Sequence, residues 1–208
     1  MRSLYDRFVL PKVLNCICGL PQIMRSRAKV VPHAEGRVLE VGMGSGINLP
    51  LYNPSIVEWV WGLEPCFEMR RLAQARVNKA PVDVRWIDLP SESIPLEDNC
   101  ADTVLLCFTL CTIPDWKRAL LEMKRVLKPE GKLLFCEHGL SPDPKVSVWQ
   151  NRLNSLWGTF AGGCQLNRSV VDCLVEVGFE VLELEQEYVS FPKFASYISS
   201  GVAQQSVK

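Results

Sequence analysis

The residues with the most chemical content lie between Glu40 and Asn48, E-V-G-M-G-S-G-I-N, where Gly42, Gly44 and Gly46 alternate behind a short aliphatic run. Glycines spaced this way let a backbone turn sharply and approach a ligand with no Cβ in between, and the N–H groups of the turn are left to face it. A dinucleotide pattern G-x-G-x-x-G would need glycine at position 47, where the chain has Ile47; this weighs against NAD and an oxidoreductase. Glu40 points the same way, because a carboxylate beside the turn repels a pyrophosphate and attracts a sulfonium. S-adenosylmethionine therefore fits the stretch better than NAD, with Met43, Ser45 and Asn48 counted among its contacts beside the glycines. Glu64, in G-L-E-P with Pro65 after it, falls about twenty residues further on, where an acid that accepts from two adjacent ribose hydroxyls is expected.

These residues need a scaffold, and the hydrophobic pattern supplies one. Residues 37–41, 57–63, 82–87, 102–107, 132–138, 179–189 and 194–203 read as strands, the fourth almost wholly apolar, as suits a central strand covered on both faces. Helical patterns occupy 66–79, the segment from Pro114-Asp115 to Lys128, 146–157 and 169–177. Strand and helix in alternation imply an α/β fold, a doubly wound, mostly parallel seven-stranded sheet whose last strand runs antiparallel, with the ligand crevice at the strands' carboxyl ends. The glycine turn should open a helix or half-turn over 45–48. Residues 1–33 show helical spacing interrupted by Pro11 and read as a helical lid over the crevice, or as an extension that only packs. One domain fills 1–208, with a cofactor-binding half at 36–138 and an acceptor-side half at 139–208 that includes a flexible connection at 158–164.

Other candidates sit on the loops that follow the strands. Backbone groups around Ser91 and Glu92 could read an adenine edge. His138, at the end of the fifth strand, could orient an acceptor or take a proton, or be a structural histidine. Cys111 on the fourth-strand loop is a second catalytic candidate or a small buried hydrophobe. Tyr5, Phe8, Trp149 and Trp157 offer apolar surface to an acceptor. Asn167 and Arg168 could contact its polar part, or serve as a helix cap and a surface charge.

Composition excludes several partners. Lys plus Arg equals Asp plus Glu at 23 each, so no basic field draws nucleic acid. Nine cysteines are scattered without a CxxC pair beside two histidines, a pattern that suggests neither a disulfide framework nor a zinc site, and no metal is expected. No apolar run reaches the roughly eighteen residues of a spanning helix, and the expected location is cytoplasmic. Arg2, Arg7 and Lys12 beside apolar N-terminal residues allow weak peripheral contact with a membrane.

Together V-L-E-V-G-M-G-S-G-I-N-L-P, G-L-E-P, C-A-D-T-V-L-L-C-F-T-L-C-T-I-P-D, E-M-K-R-V-L-K-P-E-G-K-L-L-F-C-E-H and G-F-E-V resemble class I S-adenosylmethionine-dependent methyltransferases of the type 11 kind, over nearly the whole chain. Within them L-C-T-I-P-D, C-E-H-G and G-C-Q-L-N-R are similar to a small membrane-associated group whose animal members methylate alkyl thiols and whose bacterial relatives are often named phospholipid or quinone methyltransferases. The resemblance implies that Gly42, Gly44, Ser45 and Gly46 line the methionine part, Glu64 the ribose, and Ser91 and Glu92 the adenine. It places Cys107 to Leu110, with Cys107, Thr109 and Leu110 as the contacts, in the floor beneath the methyl group. Pro90 stands where many relatives carry aspartate, so adenine recognition would lean on backbone groups. The implied reaction is in-line methyl transfer to a small, partly apolar thiol, amine or phenol/quinone, leaving S-adenosylhomocysteine. The alternatives are a phospholipid N-methyltransferase at a membrane surface and a module that binds the cofactor without catalysis.

Overall fold

A computed structural model of the chain describes residues 4–206; the membrane reading of Arg2 lies outside them. The sheet has seven strands in the order β3-β2-β1-β4-β5-β7-β6. β1 (Gly36–Val41), β2 (Val57–Leu63), β3 (Asp83–Ile87), β4 (Ala101–Cys107) and β5 (Leu127–His138) are mutually parallel. β6 (Phe179–Tyr188) forms an edge, and β7 (Tyr197–Gln205) is inserted between β5 and β6, antiparallel to both.

The period of two along the central strands sorts side chains into two cores. Leu39 and Val41, Val104 and Leu106, and Leu133 and Phe135 join the face covered by α5 (Trp116–Val126) and α7 (Val170–Glu176). Val38, Leu105, Leu134 and Cys136 join the other face, with Val30, Val31, Leu49 and Tyr52. Both cores contain residues with no solvent exposure at all, and each buried leucine or phenylalanine contributes about 1.5–3 kcal/mol. This two-sided burial is why the central strands read as unbroken apolar runs.

N-terminal residues form α1 (Leu4–Phe8), α2 (Leu10–Cys18) and α3 (Pro21–Ala28). Pro11 sits in the first turn of α2, where its missing N–H costs nothing, so the break falls at Val9. α4 (Phe67–Val77) follows β2. No α-helix follows the glycine turn. Residues 44–48 are a turn and Leu49–Leu51 a single 3₁₀ turn, because Pro50 and Pro54 lack the N–H groups that a longer helix would need. α6 (Pro144–Phe160) is capped by the Asp143 side chain and extends past the expected end at 157. The connection expected at 158–164 therefore begins only after Phe160.

Candidate functional site

A cavity of about 1160 Å³ opens at the carboxyl ends of β1, β2, β4 and β5. Its roof is made by Tyr5, Leu10, Val13, Leu14 and Ile17 of α1 and α2 together with Trp157 and Phe160 of α6. Tyr5 closes the roof by donating its hydroxyl to the Phe160 carbonyl at 2.8 Å. The volume exceeds the roughly 300–1,000 Å³ of an ordinary small-molecule pocket, so two reactants fit side by side.

At one end lies the glycine turn. Gly42, Gly44 and Gly46 all take left-handed φ, at 66°, 59° and 73°. The amides of Gly42 and Met43 both donate to the Leu63 carbonyl, at 2.9 and 3.1 Å, which folds the turn over the end of β2. Glu64 holds it from the cavity side. Its Oε2 accepts from the Gly44 amide at 2.9 Å and its Oε1 from the Cys66 amide at 2.8 Å. Both carboxylate oxygens stand on the cavity wall as acceptors. Pro65, Ser91 and Glu92 continue this wall, and Cys107 and Thr109 form the floor. A cradle with a close-approach glycine at one end and a two-oxygen acceptor beside it fits S-adenosylmethionine.

Several expected contacts lie elsewhere. Glu40 has even parity on β1 and so faces the α3 side, where Asn48 Nδ2 and the Tyr52 hydroxyl donate to its two oxygens at 2.8 and 2.7 Å. Burial raises its pKa against those two bonds. Glu40 and Asn48 thus brace the underside of the glycine turn, and neither lines the cavity. Gly46 also turns away, since a Cβ there would meet Leu49 at 3.0 Å and Ala73 at 3.4 Å. Leu110 points into the α5 core. Phe8 and Trp149 are half exposed and outside the cavity. Asn167 donates to Asn151, and Arg168 is bonded to the carbonyls of Leu110 and Ile113. That clamp fixes the loop after β4 without reaching the ligand space.

Other residues at the site had no signal of their own in the sequence. Arg27 is buried and reaches the cavity, with Nη1 on Asn48 Oδ1 at 2.8 Å and its guanidinium 4.7 Å from the centre of the Phe108 ring. Phe108 takes φ 56°, unusual for an aromatic residue. Its other neighbour is the His138 ring, stacked at 6.5 Å. Glu137 accepts from the amides of Thr109 and Leu110 at 2.6 and 3.1 Å through Oε1, while its buried Oε2 has no hydrogen-bond partner among the described residues. Burial raises its pKa.

Elsewhere on the cavity wall, three segments converge. Cys111 comes from the 3₁₀ turn after β4, His138 from the end of β5 and Cys164 from the loop after α6. His138 Nε2 lies 3.0 Å from Cys164 Sγ, and Trp157 Nε1 donates to the same sulfur at 3.3 Å. The Cys111 thiol holds the Cys164 thiol down, to about 4, with His138 adding to the effect. Cys111 itself is pushed up by that bond and by burial. Burial works against a charged His138, yet the bond to Cys164 prevails and raises it. The two sulfurs and the ring nitrogen lie within 4.8 Å of one another, a cluster that cysteine spacing along the chain had argued against. Only G-C-Q-L-N-R flagged Cys164, and only as part of a motif.

A family model described as a methyltransferase domain matches residues 39–135. A thiol S-methyltransferase of Homo sapiens is 29% identical over 166 residues, 78% of this chain and 68% of that protein. A phosphatidylethanolamine N-methyltransferase of Cereibacter sphaeroides is 34% identical over 112 residues, half of this chain and 51% of that protein. The chain spans about half to two thirds of the length of these relatives. Among solved structures, a possible histamine N-methyltransferase from Thermotoga maritima superposes with a TM-score of 0.67 at 20% identity, covering 98% of both chains.

Proposed function

The chain is a class I S-adenosylmethionine-dependent methyltransferase, and we propose that its acceptor is the sulfur of a small, largely apolar thiol. The observation that carries this is a cavity wall on which the apolar Leu10, Leu14, Ile17 and Trp157 occur together with a converging cluster of soft groups, Cys111, Cys164 and His138. The acids that line the cavity, Glu64 and Glu92, lie on the loops after β2 and β3, so no carboxylate of the lining belongs to that cluster to draw in an amine. A thiol S-methyltransferase among the relatives supports the same reading.

S-adenosylmethionine supplies a methyl group on a positively charged sulfur, and its departure leaves a neutral thioether that needs no acid. The work of the protein is then to hold and to exclude. Gly44 and Ser45 let the donor's methionine part approach the backbone, Glu64 takes the ribose hydroxyls, and Ser91 and Glu92 stand at the base. The roof residues of α2 and α6 keep water from the acceptor end, and orientation alone can lower such a barrier by roughly 7–11 kcal/mol. A free thiol is already a few per cent thiolate at pH 7, so a modest shift toward thiolate suffices.

The test is transfer of labelled methyl to an alkyl thiol, amine and phenol of matched chain length. Thiol product should dominate; faster transfer to the amine or phenol sinks the reading.

A second reading, a phospholipid acceptor at a membrane surface, is favoured by the exposed apolar side chains of the roof. Leu4 is 78% exposed, and Phe8, Val9, Ile17 and Leu20 are also open to solvent, with Arg7 and Lys12 among them. Contact through these short amphipathic helices would be of the peripheral kind; among the described residues no helix is long and apolar enough to cross a membrane. Transfer to vesicle phosphatidylethanolamine that exceeds transfer to any soluble thiol would choose it.

A further inference from the structure

Two thiols and an imidazole from three distant segments converge on one small volume, and all three side chains line the acceptor end of the cavity. Two sulfurs and one nitrogen are the donor set of a zinc site that keeps its fourth position open, and soft sulfur disfavours magnesium or calcium. With metal–sulfur and metal–nitrogen bonds of about 2.3 and 2.0 Å, tetrahedral ligand atoms stand about 3.5–3.8 Å apart. Here Cys164 Sγ to His138 Nε2 is 3.0 Å and no pair exceeds 4.8 Å. Closing that gap takes shifts of about 1 Å or less, and Gly162 and Gly163 directly before Cys164, both with left-handed φ, give the loop room to make them.

The surroundings suit a bound cation. Trp157 Nε1 already donates to Cys164 Sγ at 3.3 Å, the kind of outer contact that orients a thiolate ligand, and the Phe108 ring, 20° from parallel, fixes the plane of His138. Two thiolates, a neutral imidazole and a doubly charged ion sum to zero, which is far easier to bury than a lone thiolate.

We propose that Cys111, His138 and Cys164 bind one zinc-like divalent cation whose open position takes the sulfur of the acceptor. This second half rests on the thiol reading above. The acceptor's S–H bond breaks, a sulfur–metal bond forms, and the proton passes to water at the cavity mouth. The acceptor is thereby held as thiolate on the part of the cavity wall that Cys111, His138 and Cys164 form.

The experiment uses the full chain, reduced and stripped of metal with a chelator, titrated with Co2+. One equivalent should bind with a near-ultraviolet thiolate-to-cobalt band and the visible bands of a four-coordinate ion, and Zn2+ should bleach both. A small alkyl thiol should then shift the visible bands, and the matching alcohol should not. The Cys111→Ser/Cys164→Ser protein should lose the thiolate band; if it does not fold, judged by S-adenosylmethionine binding, His138→Gln should lose the four-coordinate bands instead. Absence of a thiolate band in the reduced wild-type chain, a band that survives in the double variant, or a Cys111–Cys164 disulfide found under the same reducing conditions would overturn the site. Cobalt bound normally but blind to the thiol, with transfer going to amines, refutes the thiol reading and leaves the metal site standing. S-adenosylmethionine affinity, measured on the same stripped protein, should be unchanged within a factor of two to three.

Discussion

Replacing Glu64 tests the donor end most directly, because this one carboxylate has both a structural and a ligand-binding part. In the folded chain it accepts two backbone N–H bonds, from Gly44 and Cys66, so Glu64→Gln keeps the volume but must turn an NH2 group toward one of those donors. One charge-assisted bond becomes a neutral bond and the other a donor–donor contact, and the loop loses about 2–4 kcal/mol before it relaxes. The ligand side adds its own loss. A hydroxyl bonded to a carboxylate is worth about 1.5–3 kcal/mol, a weakening of S-adenosylmethionine binding by about 10- to 150-fold. Calorimetric titration gives the affinity, and urea unfolding of the ligand-free protein gives the stability. The expected outcome is a fall in both. Stability that falls while affinity stays within threefold would refute the ribose contact and reduce Glu64 to a brace for the turn.

Gly42→Ala should destabilise the fold by roughly 2 kcal/mol or more, since a Cβ at left-handed φ would stand 2.2 Å from Thr109 Cγ2; an unchanged urea midpoint would contradict the packing of the turn on the β4 loop. Asn15→Ala removes the acceptor that ties α2 to Ser45 Oγ at 2.7 Å and Arg76 Nη1 at 3.1 Å; at about 1 kcal/mol this should speed cofactor release about fivefold in stopped-flow. Asp102 loses something to burial, but the bonds from Lys128 and the Arg37 amide outweigh it and hold its pKa below the ordinary carboxylate value. A lowered folded pKa contributes stability above the unfolded pKa and loses it as pH falls through the folded one. Asp102→Asn should therefore cost up to about 1 kcal/mol at neutral pH, with the difference from wild type closing below pH 4 in acid unfolding.

The strands were legible because their apolar runs are long and two-sided, and the glycine turn because no other residue type takes its conformation cheaply. Glu64 was legible as an acid at a strand end. Glu40 was not, because its role depends on strand parity: two residues from Val38 it points into the α3 core, and nothing local says which face of β1 will meet the ligand. Arg27 and Glu137 escaped notice because a buried charge looks like any surface charge until its partners are known. The Cys111–His138–Cys164 cluster needed the crossing of three segments, which no ligand spacing along the chain encodes.

β7 comes last in chain order yet lies inside the sheet, between β5 and β6. As the chain leaves the ribosome, β1 to β5 can pair as they emerge, and with them the glycine turn and Glu64 take their places. β6 then appears with nothing to pair with, since its hydrogen-bonded neighbour among the described strands is β7. Until 197–205 arrive, the far side of β5 is an open edge, a point of exposure for a nascent chain. Ile198, which pairs with His138 and lines the cavity, enters only with that final insertion. The residues of the donor cradle thus all emerge before Ile198, and a chain stalled ahead of β7 would lack a wall of the cavity.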